Sequence, residues 1–254
     1  MTIHVLTLFP KMFEMIFNES IILRAQKKGL IKINIHNLRD WAHNKRKTVD
    51  DSPYGGGAGM VLKVDVIDRA IASLKSKIKT QKSKIILLTP QGKTFNQKRA
   101  KTLSQYSNLL LICGHYEGFD ERVRKLADEE ISIGNYVLTG GEIPAMVLID
   151  SISRLIHGVL GKNKSSQEES FSMKNFLQET RYKKQDTKFE NCKLEIENCL
   201  EYPHYTRPES YRPISKNYKR ELKVPKILLS GNHTEIKKWR IKQSLRKSKR
   251  LTSD

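Results

Sequence analysis

The stretch KIILLTPQGKTFNQKRAKTLSQYSNLLLICG, residues 84–114, decides the fold class of this chain. It begins with an apolar run at 84–89 and ends with another at 108–114, each of the length of a buried strand. Between them, FNQKRAKTLSQY at 95–106 has the pattern of a helix. A strand, a helix and a second strand in succession predict a parallel pair joined by a crossover helix.

The preceding residues continue this alternation. Pro10 stops an apolar run, Gly29 is a natural cap for a helical pattern, and IKINIHN alternates as a half-buried strand does. We therefore predict strands at 3–9 and 31–37 and helices at 11–29 and 65–76. The expected fold class is α/β with a mostly parallel sheet.

The second half of the chain changes character at Leu160. Residues 144–160 are apolar almost all round, which predicts a helix buried on several sides or at a subunit interface. Residues 161–200 are polar and aperiodic, and we expect a flexible linker with an insert there. Residues 201–254 become basic and helical again, with Asn232 and Glu235 in capping-box spacing. The predicted domains are 1–160 and 201–254.

The charge of the chain points to a polyanionic partner. The 254 residues carry 47 Lys or Arg against 27 Asp or Glu, a net charge of +20. Residues 216–254 hold thirteen basic and three acidic residues, so their net charge is +10, half of that of the whole chain. A solvated face or a lysine-rich composition is the alternative, but the local excess favours contact with nucleic acid.

Several classes of protein do not fit the sequence. Cys113, Cys192 and Cys199 have no paired CxxC spacing, which argues against a disulfide scaffold or a structural zinc site. The amino-terminal residues do not match a signal peptide, and no stretch approaches the ~20 apolar residues of a membrane span. We expect a cytoplasmic protein without membrane contact.

Glycines cluster at YGGGAGM (54–60), CGHYEG (113–118) and YVLTGGEIP (136–144). Neither GxxxxGK[ST] nor a GxGxxG that opens a helix is present, so the common phosphate-binding loops are excluded. Each cluster alone could be a tight turn. Because two of them follow predicted strands, where open α/β sheets bind ligands, they favour a ligand held by backbone groups.

Seven strings resemble bacterial tRNA (guanine-N1)-methyltransferases, which modify the guanine 3′ to the anticodon, at position 37. They stand in the family's order and cover nearly the whole chain except about 172–198. The strings are TLFPKMF, TVDDSPYGGGAGM, LLTPQG, CGHYEGFDERV, SIGNYVLTGGEIPAMVLIDSISRLIHGVLG, YPHYTRPE and LLSGNHTEIKKWRIKQSL.

The resemblance implies a SPOUT-type domain with a C-terminal trefoil knot, a small helical domain and a homodimer with active sites at the interface. It also implies S-adenosylmethionine as methyl donor, held by three loops. Family behaviour suggests Mg²⁺ as well, with no identifiable protein site. The residues implied to hold S-adenosylmethionine are Leu88, Pro90, Gly114, Tyr116, Gly118, Ile133, Gly134, Asn135, Tyr136, Val137, Leu138, Gly140, Gly141 and Pro144.

The resemblance also implies the catalytic residues. Methylation of guanine N1 needs a base for its proton and a donor for the charge that develops on O6. The family's base precedes a Ser-Phe pair, which is Ser170–Phe171 here, so the base is Glu169 in place of the family's aspartate. A register change of one residue would make it Glu168. The donor is Arg154, for which an ion pair with Asp150 is the alternative.

Contacts with tRNA are implied in two regions of the chain, the segment at 48–60 and the basic C-terminal part. The insert at 172–198 could be a surface excursion or could fold over the tRNA. The alternative functions are a non-catalytic tRNA-binding protein of the same fold and a ribose methyltransferase. The implied tRNA-binding residues are Asp50, Ser52, Tyr54, Gly59, His204, Tyr205, Arg207, Lys238 and Arg240.

Overall fold

A computed structural model describes residues 1–56, 58–77, 82–160, 170–171, 200–211 and 221–251. The chain divides into two compact units, Met1–Lys162 and Asn163–Asp254. The expected linker and insert lie almost entirely outside the described residues, as do Glu168 and Glu169.

A five-stranded sheet forms the centre of the first unit. Its order is β2-β1-β6-β5-β7, and every neighbouring pair of strands in it is parallel. A separate antiparallel pair joins β3 (Asp50–Asp51) and β4 (Val61–Leu62). The α/β prediction is confirmed. The strands of the main sheet are β1 (Thr2–Thr7), β2 (Lys32–Asn37), β5 (Ser83–Thr94), β6 (Asn108–Cys113) and β7 (Glu129–Ser132).

Helices cover both faces of this sheet, as a sheet of buried parallel strands requires. Leu109 and Leu111 of β6 belong to one buried cluster, and Leu110 and Ile112 belong to the other. Successive residues of β6 therefore face opposite sides, which explains its continuous apolar sequence. The helices of this unit are α1 (Glu14–Phe17), α2 (Ser20–Lys27), α3 (Val64–Lys77), α4 (Gln97–Leu103) and α5 (Glu142–Ser153).

Two helices have bounds in the structure that differ from the predicted ones. The helix expected at 11–29 is a 3₁₀ turn at Pro10–Phe13 followed by α1 and α2. The Gln26 amide donates to the carbonyl of Phe17 (2.9 Å), which helps to end α1 early. The helix expected at 144–160 is α5, which starts two residues earlier and ends at Ser153.

Strand β5 is longer than the predicted strand at 84–89. It continues to Thr94, and its pairing with β7 shifts register between Leu88 and Lys93. A Cβ on Gly92 would lie 2.5 Å from the backbone nitrogen of Ile131 in β7, so only glycine fits there. The segment TPQG is therefore a bulge in a strand where the resemblance implied a cofactor loop.

Among its described residues, the second unit forms a short antiparallel strand pair and two helices. These are β8 (Ser210–Tyr211) with β9 (Leu222–Lys223), α6 (Lys226–Leu229) and α7 (His233–Leu251). The Asn232 side chain accepts the backbone N–H of Glu235 (3.2 Å), which confirms the predicted N-cap of α7. Contrary to the expected helical character, residues 201–209 form no helix.

Candidate active site

Three segments meet at Gly114: the bulge of β5 after Leu88 and the loops that follow β6 and β7. Leu88 of β5 pairs with Cys113 of β6, just before Gly114. The N–H of Gly141 donates to the carbonyl of Gly114 (2.8 Å), and Gly140 forms a bridge with His115. The structure thus brings together the three segments that were assigned to the cofactor.

The glycines at this point permit backbone approaches that no larger residue would. A Cβ on Gly141 would lie 2.7 Å from Cys113 Cα and 2.7 Å from the nitrogen of Gly114. A Cβ on Gly114 would lie 2.8 Å from the ring of Phe119 and 3.6 Å from the carbonyl oxygen of Leu88. The loops are therefore packed backbone against backbone, which leaves peptide groups to line the site.

Most side chains of the predicted cofactor segments are exposed or half-buried. Leu88 is buried and Pro144 is half-buried in the first turn of α5, whereas Pro90 is exposed. Gly118 (φ +105°) and Gly134 (φ +155°) occupy backbone conformations suited to glycine. The exposed or half-buried remainder of the set is Tyr116, Ile133, Asn135, Tyr136, Val137 and Leu138.

A buried carboxylate, not predicted from the sequence, lies beside the glycines. Glu142 at the start of α5 is 2% exposed, and its Oε1 accepts the hydroxyl proton of Thr7 (2.7 Å). Burial, together with the charge of Glu142, raises the pKa of the Cys113 thiol well above its usual value. Cys113 is therefore an inert packing residue rather than a nucleophile. The sequence feature that could have marked Glu142 as a candidate is a single carboxylate just before an apolar helical segment.

The segment predicted to receive the guanine is joined by its backbone to the middle cofactor loop. The N–H of Glu117 donates to Met60 (3.0 Å), and the N–H of Leu62 donates to Gly118 (3.0 Å). A Cβ on Gly59 would collide with the Glu117 side chain. Glu117 is exposed between the two predicted binding segments, and it is a candidate residue that the sequence interpretation missed.

The predicted guanine-binding residues surround the tip of the β3–β4 hairpin. Asp50 is half-buried in β3, and Ser52 and Tyr54 are exposed. The hydroxyl of Ser52 lies 3.8 Å from the sulfur of Met60, across the hairpin. These side chains are thus available to a ligand at the mouth of the site.

Asp120 and Arg122 stabilise the chain just after the middle loop. The Arg122 guanidinium donates to both carboxylate oxygens of Asp120 (2.9 and 2.6 Å). These bonds lower the pKa of Asp120 to about 2, against the opposing effect of burial. The N–H of Asp120 also donates to Leu62 (3.0 Å), so the pair sits where the hairpin meets the cofactor loops.

Arg154 lies at the other end of α5 from the three loops. It is the C-cap of the helix, about 18 Å from Glu142 at a rise of ~1.5 Å per residue. Beyond it, Gly158 packs against Leu30, which precedes β2, and the amino group of Met1 donates to Leu30 as well (3.0 Å). Arg154 is therefore near the amino edge of the sheet, opposite the loops of its own chain.

The residues predicted to contact phosphates in the second unit lie on α7 and in the segment 204–207. The Arg240 guanidinium lies 4.8 Å from the ring centre of Tyr202, and its buried Nε has no hydrogen-bond partner among the described residues. Lys238 contacts Glu235 (2.8 Å) on the exposed face. The other predicted residues are exposed: His204, Tyr205 and Arg207.

The described part of the chain holds neither a cluster of metal ligands nor a membrane-spanning helix. It contains no group of three or more His, Cys, Asp or Glu that could hold a metal ion. None of the helices formed by those residues is long and apolar enough to cross a membrane.

Comparison with known proteins identifies the family. The family model described as "tRNA (Guanine-1)-methyltransferase TrmD" matches residues 1–254. A tRNA (guanine-N(1)-)-methyltransferase of Syntrophomonas wolfei is 51% identical over 245 residues, covering 96% of this chain and 86% of the relative. A protein of the same name from Dehalococcoides mccartyi is 48% identical, covering 100% of this chain and 90% of the relative. Another, from Citrifermentans bemidjiense, is 49% identical, covering 98% of this chain and 86% of the relative. The chain is an enzyme that methylates tRNA, and it belongs to the tRNA (guanine-1)-methyltransferase family.

Proposed function

We propose that this enzyme transfers a methyl group from S-adenosylmethionine to N1 of the guanine at position 37 of tRNA, next to the anticodon. The meeting of the β5 bulge with two glycine-rich loops at Gly114, joined by backbone to the 50–62 hairpin, is the observation that carries this proposal. The segments that would bind the methyl donor and the hairpin that would bind the guanine then open into the same site. Backbone readout of a nucleoside suits a loop set that presents peptide groups.

The residues at Gly114 fit S-adenosylmethionine. Backbone N–H and C=O groups of the segments 88–92, 114–118 and 133–141 would hold its adenine and ribose, while exposed Tyr116 and Tyr136 offer ring faces. When bound, S-adenosylmethionine supplies an electrophilic methyl group on a sulfonium.

Two side chains would complete the chemistry. Guanine N1 is a poor nucleophile while it keeps its proton, so Glu169 would accept that proton. Arg154 would donate to guanine O6, where negative charge develops. Glutamate in place of aspartate keeps the carboxylate and a similar unperturbed pKa, and it reaches one methylene further.

The place of Arg154 supports a homodimer with each site shared between two copies. The cofactor-binding segments of the same chain lie at the other end of α5, about 18 Å from Arg154. That distance is well beyond the reach of an arginine side chain. A second copy must therefore bring Arg154 to the loops if both serve one reaction. This is the same conclusion that the resemblance implied.

An exposed apolar surface supports the same assembly. We call it the α1–α5 surface, and it includes Met15 and Val137, which are both 84% exposed. A patch of this kind on a folded unit is typical of a protein–protein interface. Its members on α1, α5, the preceding 3₁₀ turn and the loop after β7 are Met12, Met15, Ile16, Val137, Ile143 and Val147.

The path of the chain after β5 is the one that a SPOUT-type knot would use. From β5 the chain forms β6 on one side, then β7 on the other side, and then returns to β6 at Gly141. The return crosses the carboxyl end of β5. We propose that this crossing is the trefoil knot, an exception to the general rule that chains do not thread their own loops.

A methyl-transfer assay tests the function. Unmodified tRNA with guanine at position 37 is incubated with labelled S-adenosylmethionine, and nuclease digestion with mass analysis then locates the methyl group. Label on N1 of that guanine is expected, whereas label on a ribose hydroxyl would overturn the proposal. Glu169→Gln is expected to lose turnover and to retain tRNA binding. If Glu169 had no catalytic role, the variant would keep its turnover.

Mixed dimers test the shared site. Arg154→Ala and Gly140→Ala variants are each expected to be inactive, the first without the O6 donor and the second with its loops forced apart. An equal mixture should recover about a quarter of wild-type activity, because half of the dimers are mixed and each has one complete site. No recovery after subunit exchange would mean that Arg154 serves its own chain.

A further inference from the structure

His115 and Glu142 converge on one point beside Gly140. A Cβ on Gly140 would collide with Glu142 Oε2 and would lie 2.9 Å from His115 Nδ1. Oε1 of Glu142 already accepts the Thr7 hydroxyl (2.7 Å), so Oε2 is the oxygen on the Gly140 side. The absence of a side chain at Gly140 is what lets these two polar atoms approach.

The imidazole of His115 is held in place but incompletely bonded. Its ring packs between Phe9 (centroids 4.8 Å apart) and Tyr116 (4.7 Å). Its Nδ1 is buried, with no hydrogen-bond partner in the part of the chain that the structure describes. A buried nitrogen in that state is costly, and a carboxylate oxygen of Glu142 approaches the same point beside Gly140.

The next residue is strained in the same arrangement. Tyr116 is not glycine, yet it has φ of +59°. Backbone strain of this kind clusters at active sites, ligand clamps and switch segments. The loop that carries His115 therefore has two separate reasons to shift when a ligand fills it.

We propose that His115 donates a hydrogen bond from Nδ1 to Glu142 Oε2 when the methyl donor binds, and that this couple clamps the 114–118 loop to Gly140 and Gly141. The inference rests on the proposed use of S-adenosylmethionine at these loops. His115 and Glu142 are positioning residues in it, since they act through Tyr116 and the glycines. Thr7 fixes the other carboxylate oxygen, which keeps Oε2 directed to the histidine.

A matched pair of substitutions tests the couple. The amide nitrogen of asparagine is as many bonds from Cβ as Nδ1 of histidine, whereas that of glutamine corresponds to Nε2. His115→Asn therefore keeps a donor at the required place, and His115→Gln removes it. Calorimetry with S-adenosylmethionine gives the dissociation constant of each variant, and thermal unfolding without ligand gives the stability of the fold.

We expect His115→Asn to bind within about threefold of wild type and His115→Gln to bind roughly 10- to 100-fold more weakly, the range for a hydrogen bond to a charged group. In a Glu142→Gln background the difference between the two should shrink severalfold. Both His115 variants should unfold at the same temperature without ligand. Equal affinities, or a lower unfolding temperature for His115→Gln that accounts for its weaker binding, would overturn the couple. Failure of the wild type to bind would instead refute the proposed methyl donor.

Discussion

Replacement of Gly141 by alanine is a sharp test of the packing at the three loops. Gly141 has φ −82° and ψ −3°, which any residue adopts without strain. If the surroundings were open, Gly141→Ala would stabilise the protein by about 0.4–1 kcal/mol through the entropy of the unfolded chain. The sign of the effect therefore reports whether the close approach exists.

The structure predicts the opposite sign. The new Cβ would lie 2.7 Å from Cys113 Cα and from the nitrogen of Gly114, and backbone atoms at the end of a central strand cannot turn aside. Overpacking of this kind costs about 1–3 kcal/mol. Displacement of the loop would also weaken the bond from Gly141 N–H to Gly114 (2.8 Å), worth ~1 kcal/mol. We expect a net loss of about 1–3 kcal/mol.

Thermal and denaturant unfolding of the ligand-free protein measure this loss. At ~2–4 °C per kcal/mol for a domain of this size, the Tm should fall by about 2–12 °C. Affinity for S-adenosylmethionine should fall more than about tenfold, because misplaced backbone groups no longer meet the ligand. The control is Gly29→Ala, where φ is +68° and no atom is near: it should cost ~1 kcal/mol and leave affinity unchanged. An unchanged or raised Tm for Gly141→Ala would refute the reasoning.

Three further predictions concern charge and assembly. Because the Arg122 partner lowers the pKa of Asp120 from 3.8 to about 2, their pairing stabilises the fold above about pH 4 and is lost as the pH falls through about 2. The gap in Tm between wild type and Asp120→Asn should close over that range, and a gap that widens on acidification would contradict the pairing. Lys238→Gln should reduce the slope of log K for tRNA against log salt by about 0.7–0.9, whereas an unchanged slope would remove Lys238 from the RNA interface. Val147→Asp on the α1–α5 surface should give monomers in sedimentation experiments and abolish methyl transfer. Ala72→Asp, on the exposed face of α3, should do neither, and a dimeric Val147→Asp protein would argue against this interface.

Much of the parallel sheet could be predicted from local pattern. The apolar runs around Leu87 and Leu110 marked buried strands, because residues on both faces of a central strand must be apolar. The break at Phe17 in the expected N-terminal helix could not be predicted in the same way. The carbonyl of Phe17 accepts a side-chain bond from Gln26, nine residues away, and such a contact leaves no trace in hydrophobic periodicity.

The candidate site was predictable in part. The glycine clusters marked the loops around Gly114 and Gly141, since glycine is placed where backbones meet. Neither Glu142 nor His115 was singled out, although both lie in those clusters. Their meaning depends on contacts with Thr7 and Gly140, and Thr7 is 135 positions from Glu142 in the chain.

The sequence by itself determined the alternation of strands and helices, the basic C-terminal part and, through its ordered motifs, the enzyme family. Those features are written in neighbouring residues, where burial and charge act locally. Only the tertiary structure decided which loops meet, that Glu142 is buried beside them, and that Arg154 lies at the opposite edge of the sheet. Strand order and helix direction set those distances, and a hydrophobic pattern records which face of an element is buried but not what lies against it.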